Sequence, residues 1–371
     1  MPVFRRPQDL VLDDVYVDIE PLVGRPLMLK CEGFNFAGSI KLKPAADMVA
    51  AAERDGVLRQ GSVIVESSSG NLGVALAVVA ANRGYRLVCV CDPRVAETNR
   101  RLIERYGGEV VTVTEPDERG GYLGTRIGVV RRLCRENPDY VWLNQYTNPH
   151  NPRSHHDRTA RSIFGRFPQL DLLFVGAGTT GTLMGCARYV REHRLDTRVV
   201  AVDSFGSVTF GGPPGPRFIP GLGTSTRPAL LDADLVDDLV LVDERDAVAA
   251  CRRLATNGYL FGGSTGTVLA GALHVLGDHP GGSRAVAIAP DLGERYLTTI
   301  YDDAWVAAQL PGPATPPQRV ALGGRPGHRR PDRPDRPGPP APPRPARPSQ
   351  PIRTTTPATP TPVRPALAQD G

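Results

Sequence analysis

Residues 62–114 read SVIVES, NLGVALAVVAANRG, RLVCVCD, AETNRRLIERYG and EVVTVT in succession, short β-branched runs alternating with longer helical patterns. Strand, helix, strand, helix, strand predicts a parallel sheet with crossover helices. The alternation restarts at residue 170 with LDLLFVG, GTLMGCARYVREHR, RVVAVDS, LVDDLVLVDE, a helix over 245–257 and RAVAIAPD. Two such series predict two α/β lobes with a cleft between them. Ligands of open α/β sheets bind in loops beyond the carboxyl ends of the strands, so those loops carry the functional question.

Composition separates this body from its C-terminal end. Residues 311–371 hold 19 of the 37 prolines and ten arginines against three aspartates, a local charge of +7, so residues 1–310 carry −2 of the formal +5. Such a segment buries too little apolar surface to order itself and has no aromatic ring on which a base could stack. A disordered Pro/Arg-rich tail is therefore expected, and a nucleic-acid partner is not. The six cysteines, Cys31, Cys89, Cys91, Cys134, Cys186 and Cys251, show no CxxC pairing and read as buried thiols of a cytoplasmic protein. Cys89 and Cys91 fall on one face of a strand, where core packing is expected rather than a metal. No apolar run approaches the roughly 18 residues of a membrane span, and the first residues lack the apolar core of a signal peptide.

Three strand-end loops are rich in glycine and hydroxyls. VESSSGNLG (65–73) precedes a helix, where amides and serine hydroxyls converge on a site for a carboxylate or phosphate. The alternative is an ordinary cap in which Ser69 or Asn71 satisfies the first amides. VGAGTTGTLMG contains Gly176, Gly178 and Gly181 as a GxGxxG after a strand, with Asp203 at the end of the next strand. That pattern fits the dinucleotide fingerprint of an NAD-dependent oxidoreductase. It fits equally a cradle for the terminal phosphate of a small cofactor, to which Thr179, Thr180 and Thr182 add donors. FGGSTGT (261–267) is the third loop, where Ser264 reads by itself as a helix cap.

Of 44 cationic side chains only Lys30, Lys41 and Lys43 are lysine. Arginine replaces lysine wherever charge alone is needed, but not where an amine must attack a carbonyl. Lys30 and Lys43 also admit a bland reading, with stems laid along a strand or helix and ammonium heads in water.

Lys41 before a helix, the Ser-Ser-Gly-Asn loop, the Gly/Thr loop and the late Ser-Thr-Gly, in this order and spacing, resemble the fold type II pyridoxal phosphate (PLP) enzymes of the cysteine synthase and cystathionine β-synthase family. The resemblance runs over about residues 10–305 and includes NQYTNPHNP (144–152) and GERYLTT (293–299). It implies a two-lobed, tryptophan synthase β-like fold with a PLP-binding large lobe from 1–46 and 151–310 and a small lobe from 47–150. It also implies a homodimer that acts on small amino acids.

By the same resemblance Lys41 forms the Schiff base with PLP and serves as general base. Gly178, Thr179, Thr180, Gly181 and Thr182 hold the cofactor phosphate, Asn71 meets the ring 3′ oxygen, and Ser264 faces the pyridine nitrogen. Ser68, Ser69, Asn71 and Gln145 hold the substrate carboxylate. The family's lysine is usually followed by Asp-Arg, whereas here Leu42 and Lys43 follow. GGYLGTRI (120–127), IPGLGTSTRP (219–228) and PDLGERYLTTIYDDAW (290–305) resemble instead the branch that joins O-phospho-L-serine to L-glutamate on the route to 2,3-diaminopropionate for siderophores and peptide antibiotics. Arg126, Arg217 and Arg227 lie in or beside those stretches and are the candidate partners for anionic substrates. An O-phosphoserine or O-acetylserine sulfhydrylase is the alternative within the family.

Overall fold

A computed structural model describes residues 3–117, 121–278 and 282–322. Among them the chain forms two sheets. The larger takes β1 (Tyr16–Asp18), β2 (Met28–Cys31), β7 (Leu172–Gly176), β8 (Arg198–Ser204), β9 (Asp238–Val242), β10 (Ala285–Ala289) and β11 (Gln318–Ala321), in the order β1-β2-β10-β7-β8-β9-β11. Its five central strands are mutually parallel, and β1 and β11 close the edges antiparallel to β2 and β9. The smaller, entirely parallel, takes β3 (Val63–Ser67), β4 (Arg86–Cys91), β5 (Glu109–Thr112) and β6 (Tyr140–Trp142), in the order β5-β4-β3-β6.

The continuous apolar runs are explained by burial on both faces. Leu172, Phe174, Val200 and Val202 point to the face covered by the helix Gly263–Gly277. Their neighbours Leu173, Val175, Val199 and Ala201 point to the opposite face, under the helix Gly181–Glu192. The small sheet repeats this scheme, with Ile64, Leu87, Cys89 and Cys91 against the helix Asn71–Arg83 and Val63, Val65, Val88 and Val90 on the other face with Val130. Cys89 and Cys91 are fully buried on one face, as the alternation predicts, and all six cysteines are free thiols.

Four strands of only three or four residues, β1, β2, β6 and β11, are not read from the sequence pattern. Composition starts the tail at residue 311, yet the structure keeps residues 311–322 on the large sheet. The Thr315 amide donates to Asp243 at 3.0 Å, Gln318–Ala321 pairs with β9, and Arg319 bridges to the buried Asp238 at 3.1 Å. Residues 323–371, with most of the Pro/Arg-rich run, lie outside the described residues. Among the described residues no helix is long and apolar enough to cross a membrane.

Candidate active site

The carboxyl ends of β2, β3, β7 and β10 lead into the loops that carry the chemistry. Lys41 sits just before the helix Leu42–Arg54, and its turn is stitched to the end of β10: the Ile40 amide donates to the Pro290 carbonyl at 2.7 Å and Ser39 bridges to Asp291. A pocket opens there, lined among others by Lys41, Asn71, Gly178, Thr180, Thr182, Gly221 and Ser264. Burial pushes the Lys41 amine below its ordinary range, and the Asp291 carboxylate pulls it partly back. The direction favours a free amine, the form that attacks a carbonyl or removes a proton.

The Gly/Thr loop lies where β7 meets the helix Gly181–Glu192, a helix N-terminus suited to an anion. Its glycines are dictated by close neighbours. A Cβ on Gly181 would lie 2.0 Å from Asn151 Oδ1, and one on Gly178 would lie 2.5 Å from the Gly221 carbonyl oxygen. Asn151 in turn donates to Thr179 Oγ1 at 3.3 Å and to the Gln145 carbonyl at 2.8 Å. Thr180 is left-handed, with φ 66°, and its buried Oγ1 has no hydrogen-bond partner. A β-branched residue held in that conformation, with an orphaned hydroxyl in an anion cradle, marks a place for a ligand oxygen.

Asn71 opens the helix Asn71–Arg83 and belongs to a buried network that sequence patterns do not reveal. Its amide nitrogen donates to Asp291 Oδ2 at 2.7 Å and its oxygen accepts from Arg295 at 2.7 Å, while Tyr296 donates to the same Asp291 oxygen. Burial raises the Asp291 carboxyl. Ser264, in the first turn of the helix Gly263–Gly277, donates to the Pro220 carbonyl across 3.3 Å, a long bond from which the hydroxyl can turn to a better acceptor.

The remaining predicted residues gather at the neighbouring end of β3 or on the loop 206–228. Ser68 Oγ accepts from the Gly70 and Gly73 amides, so Ser68 performs the capping that the sequence assigned to Ser69 or Asn71. Ser69 donates to Asp92 at 2.7 Å and accepts from Arg126 at 3.0 Å. Gln145 is buried, with its amide on the Ser67 carbonyl at 2.9 Å. Glu66 lies beneath this loop, fully buried, where it accepts from the Trp142 indole at 3.0 Å; burial pushes its carboxyl up to about 7. Arg217 is half-buried, donates to the Gly206 carbonyl and faces Asp203 and Glu244, whereas Arg227 is exposed.

Two expectations are corrected. Asp203, the ribose ligand of the oxidoreductase alternative, is 1 % exposed and accepts from the Ser204 amide at 2.8 Å; burial pushes its carboxyl up to about 6. Lys30 and Lys43 are buried, with their ammonium heads paired inside the protein rather than solvated. Lys43 donates to Glu32 Oε1 at 3.0 Å and Thr159 at 3.0 Å, lies 2.7 Å from Glu32 Oε2, and contacts Asp13. Lys30 lies 3.3 Å from Glu32, donates to Ser162 at 3.2 Å and sits over the Tyr16 ring.

A glycine-lined anion cradle with an orphaned hydroxyl, an amine shifted toward its free form, and a serine hydroxyl across the pocket fit a phosphorylated pyridine aldehyde. The family model described as "Pyridoxal-phosphate dependent enzyme" matches residues 16–291, and the chain belongs to that family, as a β-replacement enzyme of fold type II. Its relatives are more particular. The chain is 44 % identical to an N-(2-amino-2-carboxyethyl)-L-glutamate synthase of Ralstonia nicotianae over 283 residues, covering 75 % of this chain and 83 % of that one. It is 42 % identical to the enzyme of the same name from Cupriavidus metallidurans over 299 residues, 78 % of this chain and 88 % of that one. Among solved structures, O-ureido-L-serine synthase superposes with a TM-score of 0.75 at 35 % identity, covering 82 % of this chain and all of the other.

Asp291, Arg295, Tyr296 and Asn151 lie within the phrases that carry the resemblance, yet the sequence assigns them no role. For Asp291 a signal existed, since it directly follows the apolar strand RAVAIAP at a ligand-binding end. The partners of Asn71 and Asn151 are set by contacts across the fold and leave no local pattern.

Proposed function

We propose that this enzyme joins O-phospho-L-serine to L-glutamate, forming N-(2-amino-2-carboxyethyl)-L-glutamate and inorganic phosphate on the route to 2,3-diaminopropionate. The reading is carried by the two synthases of that name, which match most of their own length. PLP, when bound, supplies the electron sink that acidifies Cα and lets a group leave from Cβ. The protein's own residues do the rest. The Lys41 amine, shifted by burial toward its neutral form, would hold the cofactor at its aldehyde, and would take the proton from the substrate Cα and return it. The cradle Gly178–Thr182 anchors the cofactor so that this amine and the substrate Cα stay in reach.

The substrate carboxylate is assigned to the end of β3, with Ser68, Ser69, Asn71 and Gln145. Arg126 stands against Ser69 with Asp92 as its counter-charge, which leaves guanidinium donors for an incoming anion. Arg217 and Arg227 remain candidates for the phosphate and the second substrate.

Phosphate release from O-phospho-L-serine, followed with L-glutamate, with sulfide or with neither, tests the reading. Turnover that requires glutamate, with the expected product by mass spectrometry, supports the synthase; turnover with sulfide alone makes the enzyme a sulfhydrylase. Arg227→Ala is expected to raise KM for O-phospho-L-serine several-fold, and an unchanged KM removes Arg227 from phosphate binding.

A further inference from the structure

Behind the phosphate cradle a single file of side chains links the buried ion cluster to the pocket wall. Lys43 Nζ donates to Thr159 Oγ1 at 3.0 Å, Thr159 Oγ1 lies 3.2 Å from His155 Nδ1, and His155 Nε2 lies 3.2 Å from Thr182 Oγ1. Lys43, Thr159 and His155 are all buried, at 2 %, 0 % and 0 % exposure, so water does not compete for these bonds. Thr182 at the far end lines the pocket. His155 and Thr159 lie in one π-helical turn, His155–Ala160, packed on the helix Gly181–Glu192. Gly185 permits that contact, since a Cβ there would come within 2.6 Å of His155 Cβ. Turns of this kind recur at functional sites.

The chain has a direction because its first member cannot accept. An ammonium has three protons and no lone pair. Lys43 donates to Glu32 and to Thr159, with Asp13 as a further counter-charge in contact. Thr159 Oγ1 therefore receives a hydrogen from Lys43, which leaves its own hydroxyl hydrogen available to His155 Nδ1. In that arrangement the imidazole is the neutral tautomer with its hydrogen on Nε2, available to Thr182 Oγ1. Burial, with Lys43, Lys41 and Arg158 close by, holds the ring well below its ordinary range, which keeps it neutral. With its oxygen already accepting from His155, Thr182 keeps its own hydrogen for an acceptor in the pocket.

We propose that Lys43 is a positioning residue for the cofactor phosphate: through Thr159 and His155 it sets the polarity of a hydrogen-bond relay that turns the Thr182 hydroxyl hydrogen toward a phosphate oxygen. The relay accounts for a lysine kept where the rest of the chain uses arginine. Three acceptors from separate elements converge on one point, which suits a compact ammonium better than a planar fork. The inference rests on PLP as cofactor and holds whichever amino acids the enzyme joins.

The test compares cofactors with and without the phosphate. Full-length apoprotein of the parent, Thr159→Val and Thr159→Ser is titrated with PLP and with pyridoxal, which keeps the aldehyde that Lys41 captures but lacks the phosphate. Thr159→Val breaks the relay at nearly constant volume and is expected to weaken PLP about tenfold, the scale of one hydrogen bond to a charged group. Pyridoxal affinity should stay unchanged, and Thr159→Ser should recover the parent's PLP affinity to within about twofold. Equal weakening of both ligands, or no weakening of PLP, overturns the relay. The ¹⁵N shifts of His155 in the parent give an answer that does not depend on any variant folding. A ring protonated on Nε2 alone supports the proposal, and one protonated on Nδ1 or on both nitrogens overturns it.

Discussion

The pocket around Lys41 and the ion cluster around Lys43 begin at opposite sides of one residue, Leu42, and the fold treats their charges in opposite ways. Lys43 is drawn under the helix Leu42–Arg54, where both oxygens of Glu32, Asp13 and Thr159 surround the ammonium. Lys41 faces the pocket, and the carboxylate that acts on it, Asp291, is already engaged by Asn71 and Tyr296. A buried cation with counter-charges in contact stays an ion and holds structure together. One buried without a carboxylate in contact is shifted by that burial toward its neutral, reactive form. The acids repeat the contrast: Glu32 lies between two lysines, whereas Glu66 is buried against an indole and backbone amides.

The largest effect that tests this contrast is catalytic. Lys41→Ala is expected to lower turnover by on the order of 10³-fold or more, because base and cofactor anchor are lost together. Borohydride reduction followed by mass spectrometry should then find no cofactor attached to the chain. The same variant should unfold within about 1 kcal/mol of the parent in urea, since no ion pair is broken. A large stability loss would mean that Lys41 is structural as well.

Lys43→Met should instead cost stability. It leaves Glu32 and Asp13 without their shared partner and should destabilise the protein by about 3–5 kcal/mol in urea unfolding. Adding Glu32→Gln should recover part of the loss, and no recovery would show that the cost comes from packing rather than stranded charge.

Glu66 sharpens the acid side of the comparison through pH. Its carboxyl is pushed up to about 7 from an ordinary 4.5, so as pH rises the unfolded chain releases this proton before the native one does. The stability contributed by this group is therefore fully present below about pH 4.5 and falls by about 3 kcal/mol as pH rises through 7. Glu66→Gln cannot ionise, and its stability relative to the parent should rise between pH 5 and pH 8. A difference that does not change with pH would mean that the carboxyl is already ionised in the fold at pH 5.

The smallest effect concerns backbone strain in the cradle. Thr180→Gly releases a left-handed β-branched residue and should raise apoprotein stability by about 1 kcal/mol. It also removes the orphaned hydroxyl, so PLP affinity should fall while stability rises. A parallel rise or fall in both would separate the strain from the function.

Much of this arrangement was written locally. The alternation of β-branched and helical runs, the glycine-rich strand ends and the placement of Lys41 before a helix are properties of short segments, and short segments carry the backbone propensities and turn chemistry that set them. The pocket residues Lys41, Asn71, Gly178–Thr182 and Ser264 stood in four such segments, and the fold brings all four to one pocket. The partners were decided only in three dimensions. The position of Lys43 two residues after Lys41 says nothing of Glu32 or Thr159, and Asn71 meets Asp291 across 220 residues of sequence. Likewise β11 holds its place by edge pairing with β9, in a stretch whose composition reads as tail. Charge burial, tautomer and counter-charge depend on what the tertiary fold places within about 3 Å, and at that range only the folded chain determines whether a lysine is a reagent or a strut.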